Sequence, residues 1–136
     1  MKIVFFSEAL VPPFDEGIRI VARSLLLAMR EEHEVLALTN KGGGQRTDIV
    51  EWLPANRLLF SHRLRWRIDG FRPDLLVYLP TACATLASFA RAWLLRYYAR
   101  GRPTALVALQ PRPYGGAART LIPRLASGPV WTQAHR

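Results

Sequence analysis

The chain has 136 residues, enough for one packed domain spanning 1–136 and too few for two, and its 50% hydrophobic and 21% charged content excludes a disordered chain. The formal net charge of +9 rests on arginine, Lys2 and Lys41 being the only lysines, and predicts anionic partners: nucleic acid, an anionic membrane surface or phosphate-bearing substrates. The single cysteine, Cys83, excludes an internal disulfide, and no His or Cys stands at ligand spacing for zinc, so no metal site is expected.

Ile3-Val4-Phe5-Phe6 is a short continuous apolar run, the pattern of a strand covered on both faces. It is too short for the apolar core of a signal peptide, which needs ~7–15 residues, and Glu8 closes it. A loop with Pro12, Pro13 and Gly17 follows. Ile18, Val21, Leu25, Ala28 and Met29 then recur at three- and four-residue spacing, predicting an amphipathic helix ending near Glu32. Val35 to Thr39 is a second strand, closed by the turn chemistry of Asn40 to Gly44. Ile49 to Leu53 predicts an edge strand stopped by Pro54, ahead of the arginine-rich segment 57–72.

Leu75 to Leu79, closed by Pro80, has the signature of a central strand. A helix from about 82 to 100 carries Leu86, Phe89, Trp93 and Tyr97 along one stripe and stops at Gly101. Arg91 and Arg96 interrupt this apolar stretch, whereas a membrane-spanning helix needs ~20 largely apolar residues. Ala105 to Leu109 is another central strand. Beyond it come the loop 110–116, a short helix interrupted at Pro123 and a last strand around Val130 to Thr132. Strand and helix alternate throughout, which predicts an α/β fold: a three-layer, Rossmann-like domain with a mainly parallel sheet and right-handed crossovers.

Ligands of open parallel sheets gather beyond the carboxyl ends of the strands. The loops 8–17, 40–47, 80–81, 110–116 and 132–133 are therefore the places to look. None carries a dinucleotide or phosphate-loop glycine pattern. Gly17, opening the first helix, either serves only the turn or lets a backbone approach a ligand near the positive helix end. Asp15 and Glu16 suit that same helix end electrostatically. Arg19, in the first turn, is less well placed for the dipole and is expected to be held by an anion or by an acid such as Glu16. His33, between helix and strand, reads as structural. His62 lies with Arg63, Arg65, Trp66 and Arg67 in a basic stretch, either a solvated helix face or an amphipathic surface for anionic lipid or nucleic acid. No nucleophile–base set and no pair of catalytic carboxylates can be assembled on these loops, so the catalytic residues are unknown.

The order of residues carries a resemblance. Lys2 to Ser7, then Pro12-Pro13, Asp15-Glu16-Gly17 and the helix leading to His33-Glu34-Val35 resemble the start of family 4 type glycosyltransferases of the GT-B fold. Pro73-Asp74-Leu75-Leu76-Val77 is similar to a later strand of the same N-terminal domain. Glu16 and Glu32 stand where that family usually has glycine, and Gln110-Pro111 stands where it often has His-Asp.

The resemblance implies one half of a two-domain enzyme, the acceptor-binding half. A second domain would supply a pair of glutamates that holds the nucleotide-sugar, and this chain alone is expected to be inactive. The reaction implied is transfer of a sugar from a nucleotide-sugar to a glycan or lipid-linked acceptor. No cofactor is needed beyond the donor. Glu16, Gly17, Arg19, Thr81, Gln110 and Arg112 are the expected substrate contacts, and the expected location is cytoplasmic, peripheral at the inner membrane face. A reading of another class is a non-catalytic Rossmann-like or flavodoxin-like module that binds nucleic acid through its arginines.

Overall fold

A computed structural model of the protein describes residues 1–15, 17–42, 49–81, 86–108 and 130–134. Their elements run β1 (Lys2–Ser7), α1 (Gly17–Glu32), β2 (Glu34–Thr39), β3 (Glu51–Trp52), α2 (His62–Phe71), β4 (Leu75–Leu79), α3 (Leu86–Tyr98), β5 (Thr104–Ala108) and β6 (Val130–Ala134). The six strands form one sheet in the order β3-β2-β1-β4-β5-β6, and every neighbouring pair is parallel. This is the doubly wound α/β arrangement expected from the alternation of elements.

The continuous apolar runs are explained by burial on both faces. From β1, Ile3 and Phe5 pack with Ala22 and Leu26 of α1, whereas Val4 and Phe6 pack with Leu64 and Ile68 of α2 and with Phe89, Ala92 and Leu95 of α3. Strands β2 and β4 divide in the same way: Ala37 and Val77 face the α1 side, and Leu36, Leu38, Leu76 and Tyr78 face α2 and α3. Period-two alternation thus sorts each strand between two cores, one on each side of the sheet.

The predicted edge strand is present but only two residues long. Its outer position is tied down by Arg67 of α2, whose Nε donates to both carboxylate oxygens of Glu51 at 2.8 and 3.1 Å. The arginine-rich segment resolves into α2. Ser61 caps it, its side chain accepting from the Leu64 N–H, and Arg72 closes it in the left-handed region. The helix predicted over about 82–100 is described from Leu86 to Tyr98. Among the described residues no helix is long and apolar enough to cross a membrane.

Candidate functional site

The switch point of this topology lies between β1 and β4, the two central strands from which the chain departs in opposite directions. Ser7 pairs in register with Leu79 there, and its hydroxyl donates to the Leu79 carbonyl at 2.6 Å while accepting from the Ala9 N–H at 3.0 Å. One side chain therefore fixes both the spacing of the two strand ends and the turn that follows β1.

Next to this pin stands a polar group at the edge of an otherwise apolar core. Glu8 continues the side alternation of Val4 and Phe6, so its carboxylate lies toward α2 and α3, the side on which Tyr78 sits. The Tyr78 hydroxyl donates to Glu8 Oε1 at 2.8 Å. Arg91 of α3 closes the group, its Nη1 lying 3.5 Å from the same oxygen and 3.4 Å from the Tyr78 hydroxyl, while its Nε donates to the Arg57 carbonyl at 2.8 Å. The side chains of Glu8 and Arg91 are only 7% and 17% exposed. Phe6 braces the Tyr78 ring in a tilted contact with centroids 5.8 Å apart.

Burial, with the Glu8 carboxylate beside it, pushes the Tyr78 hydroxyl well above its ordinary value, so it remains a donor across the physiological range. Glu8 Oε1 is thereby occupied. Oε2 is buried and has no hydrogen-bond partner among the described residues. Leaving a buried acceptor unpaired costs about 1–3 kcal/mol, and more for a charged group. A hydroxyl or amine offered by a ligand recovers that energy. Asn40 Oδ1, beyond β2 on the same edge of the sheet, is likewise buried without a partner among the described residues.

The expected site residues divide into three groups. Gly17 opens α1 at this edge with nothing within 4 Å of where a Cβ would stand, so packing among the described residues does not require glycine there. Arg19 Nη1 reaches back to the Pro13 carbonyl at 3.4 Å across the loop between β1 and α1, and Glu16, the acid expected to hold it, lies outside the described residues. Thr81 is exposed just beyond β4, at the switch point. Glu16, Gln110 and Arg112 lie outside the described residues, as do the loop 110–116 and the helix expected around Pro123.

Sequence reasoning did not single out Glu8, Tyr78 or Arg91. Each belongs to an apolar run: Glu8 as the acid ending the first strand, Tyr78 as a strand residue, Arg91 as a charge interrupting a helix. That was itself the available signal, since a polar group placed on the buried side of a core element calls for a partner. Among the described residues His33 Nδ1 is buried without a partner, and no cluster of His, Cys, Asp and Glu is suited to a metal. Comparison with known protein families, curated proteins and solved structures gives no match, so the reading of this crevice rests on its own residues.

Proposed function

We propose that the chain is the acceptor-binding half of a glycosyltransferase that moves a sugar from a nucleotide-sugar to a glycan or lipid-linked acceptor. The observation that carries this reading is the buried Glu8 carboxylate at the switch point, one oxygen held by Tyr78 and faced by Arg91, the other unpartnered. A carboxylate with a free acceptor oxygen suits a polyhydroxyl ligand, because sugar hydroxyls are donors that a buried carboxylate binds strongly. Nothing among the described residues lies within 4 Å of where a Gly17 Cβ would stand, which leaves room for such a ligand at the start of α1. No nucleophile is needed from this half: its task in transfer is to orient the accepting hydroxyl. The donor-binding groups and the remaining chemistry belong, on this reading, to a second domain.

Two measurements test it. Titration of the chain with nucleotide-sugars should show little binding, and tight donor binding with turnover by this chain alone would contradict the half-enzyme reading. Presented with an array of glycans and lipid-linked saccharides, the chain should retain a subset that the Glu8→Gln variant releases while its circular dichroism stays native. Equal retention by both proteins would remove Glu8 from the acceptor site.

A further inference from the structure

On the side of the sheet that carries α2 and α3, the outer surface of the two helices forms a groove that the switch-point crevice does not include. One cavity of about 420 Å³ is lined by Arg65, Trp93, Arg96, Tyr97, Arg100 and Gly101. A second, of about 280 Å³, shares Arg65 and Tyr97 with it and extends to Phe60, His62 and Leu94. Cations are laid on aromatic faces along this groove: the Arg65 guanidinium stands 5.4 Å from the Tyr97 ring centre and that of Arg96 stands 5.1 Å from the Trp93 ring centre. Two of its donors, Trp93 Nε1 and Arg96 Nε, are buried without a partner among the described residues.

The rim is apolar where an ordinary surface would be polar. Phe60 and Tyr97, which line the groove, are 60% and 63% exposed, and Leu58 and Trp66, next in sequence to Leu59 and Arg65, are 45% and 73% exposed. Their exposure is built in. Leu59, between Leu58 and Phe60, is fully buried and held in the left-handed region at φ 66°, a conformation that disfavours a residue with a Cβ. The Tyr98 hydroxyl donates to the Leu59 carbonyl at 2.9 Å, and Asn56 Oδ1 accepts from the N–H groups of both Leu58 and Phe60. The loop is thus drawn in at Leu59, with Leu58 and Phe60 on either side left at the surface.

We propose that this groove docks the chain on an anionic lipid bilayer. The arginines meet headgroup phosphates, and Phe60, Trp66, Tyr97 and Leu58 enter the interfacial layer. Charge complementarity selects the anionic surface, and the aromatic side chains among the arginines together with the exposed Leu58, two residues from Phe60, select lipid over nucleic acid: bases stack on Trp, Tyr and Phe, but an exposed leucine adds nothing to a stack and does add to interfacial insertion. Arginines resting on rings combine an apolar body with a charged head, which suits the boundary between headgroup and acyl chain. The proposal is independent of the glycosyltransferase reading and stands without it.

Vesicle flotation of the full 136-residue chain tests it. The chain should float with phosphatidylcholine vesicles containing roughly a third phosphatidylglycerol at about 0.1 M salt and stay behind with phosphatidylcholine alone. Arg65→Glu should weaken binding about tenfold, since surface basic residues each contribute strongly near an anionic leaflet. Arg23→Glu, an equal charge change on the exposed face of α1 across the sheet, should leave it nearly unchanged. Trp66→Ser should reduce flotation at constant charge, and the three variants are compared only after circular dichroism shows native folding. Equal losses for Arg23→Glu and Arg65→Glu would show diffuse attraction to net charge and overturn the proposal. So would wild-type flotation by Arg65→Glu and Trp66→Ser, or binding to single-stranded RNA at the same salt that exceeds binding to vesicles and is lost in the same variants.

Discussion

Helix α3 serves two polar regions of opposite design. In its first half Arg91 turns inward: it faces the Glu8 carboxylate, contacts the Tyr78 hydroxyl and donates to a backbone carbonyl. In its second half Trp93, Arg96 and Tyr97 line a groove open to the outside, where cations rest on rings. The difference teaches where each region's energy lies. A buried charge must be matched inside the fold, so changes at Arg91 act on stability; a cation on an open face is hydrated, so changes at Arg65 act on binding.

The largest test of that division is Arg91→Leu. It strands a buried carboxylate whose remaining partner is Tyr78, and breaking such a pair costs about 3 kcal/mol. Urea unfolding should show the loss as a lower midpoint with an unchanged slope. Combining it with Glu8→Gln should return much of the loss, because the charge left without a partner is then gone. Arg65→Glu, in the open groove, should shift stability by less than about 0.5 kcal/mol. Strict additivity of the two crevice substitutions would refute the coupling.

Tyr98 joins the two regions, since it lies in the α3 core yet holds the loop that exposes Leu58 and Phe60. Its hydroxyl donates to the Leu59 carbonyl and accepts from the Ser61 N–H, the residue that caps α2. Tyr98→Phe should cost about 1–2 kcal/mol and, by releasing the loop, should also reduce vesicle flotation. Loss of stability with full flotation would show that the exposed loop does not depend on this anchor.

The sheet was legible along the chain because each strand is a local pattern: β1, β2, β4 and β5 are unbroken apolar runs, and parallel sheets bury such runs on both faces. The short edge at Glu51–Trp52 was legible in position but not in length, since its end depends on pairing with β2. The Glu8 group was not legible, and distance is the reason. Glu8 and Tyr78 are 70 residues apart, and only the registry of β1 on β4 and the placement of α3 bring them to 2.8 Å. The helix α2 was obscured for a different reason, its arginines masking the buried Leu64 and Ile68 that place it.

A smaller effect separates the regions by pH. Because Tyr78 is pushed upward by burial, the folded protein keeps that proton where an unfolded tyrosine releases it near 10. Its contribution is therefore complete below pH 10 and is lost as pH rises through the folded value. The unfolding midpoint should fall in that alkaline range more steeply for the wild type than for Tyr78→Phe. Parallel profiles would mean that the hydroxyl is less confined than its contact with Glu8 implies.

Asp69 offers the finest test, because it sits where the open groove meets the helix ends. Its hydrogen bonds from Arg100, one of them from Nη2 at 2.9 Å, hold its carboxyl below the ordinary 3.8, with the charges of Arg100, Arg65 and Arg72 adding and partial desolvation opposing. A carboxyl lowered on folding stabilises above its unfolded value, and that contribution is lost as pH falls through the folded one, here below 3.8. Asp69→Asn should remove that acid limb and with it the same small amount of stability at neutral pH, small because the pair is solvent-exposed on the Arg100 side. Binding should respond in the other direction. Arg100 also lines the groove, and without its carboxylate the groove gains one unit of positive charge, so flotation with anionic vesicles should strengthen. A variant that loses as much stability at neutral pH as Arg91→Leu, without gaining vesicle affinity, would place this pair with the buried carboxylate of the crevice and erase the division between the two halves of α3.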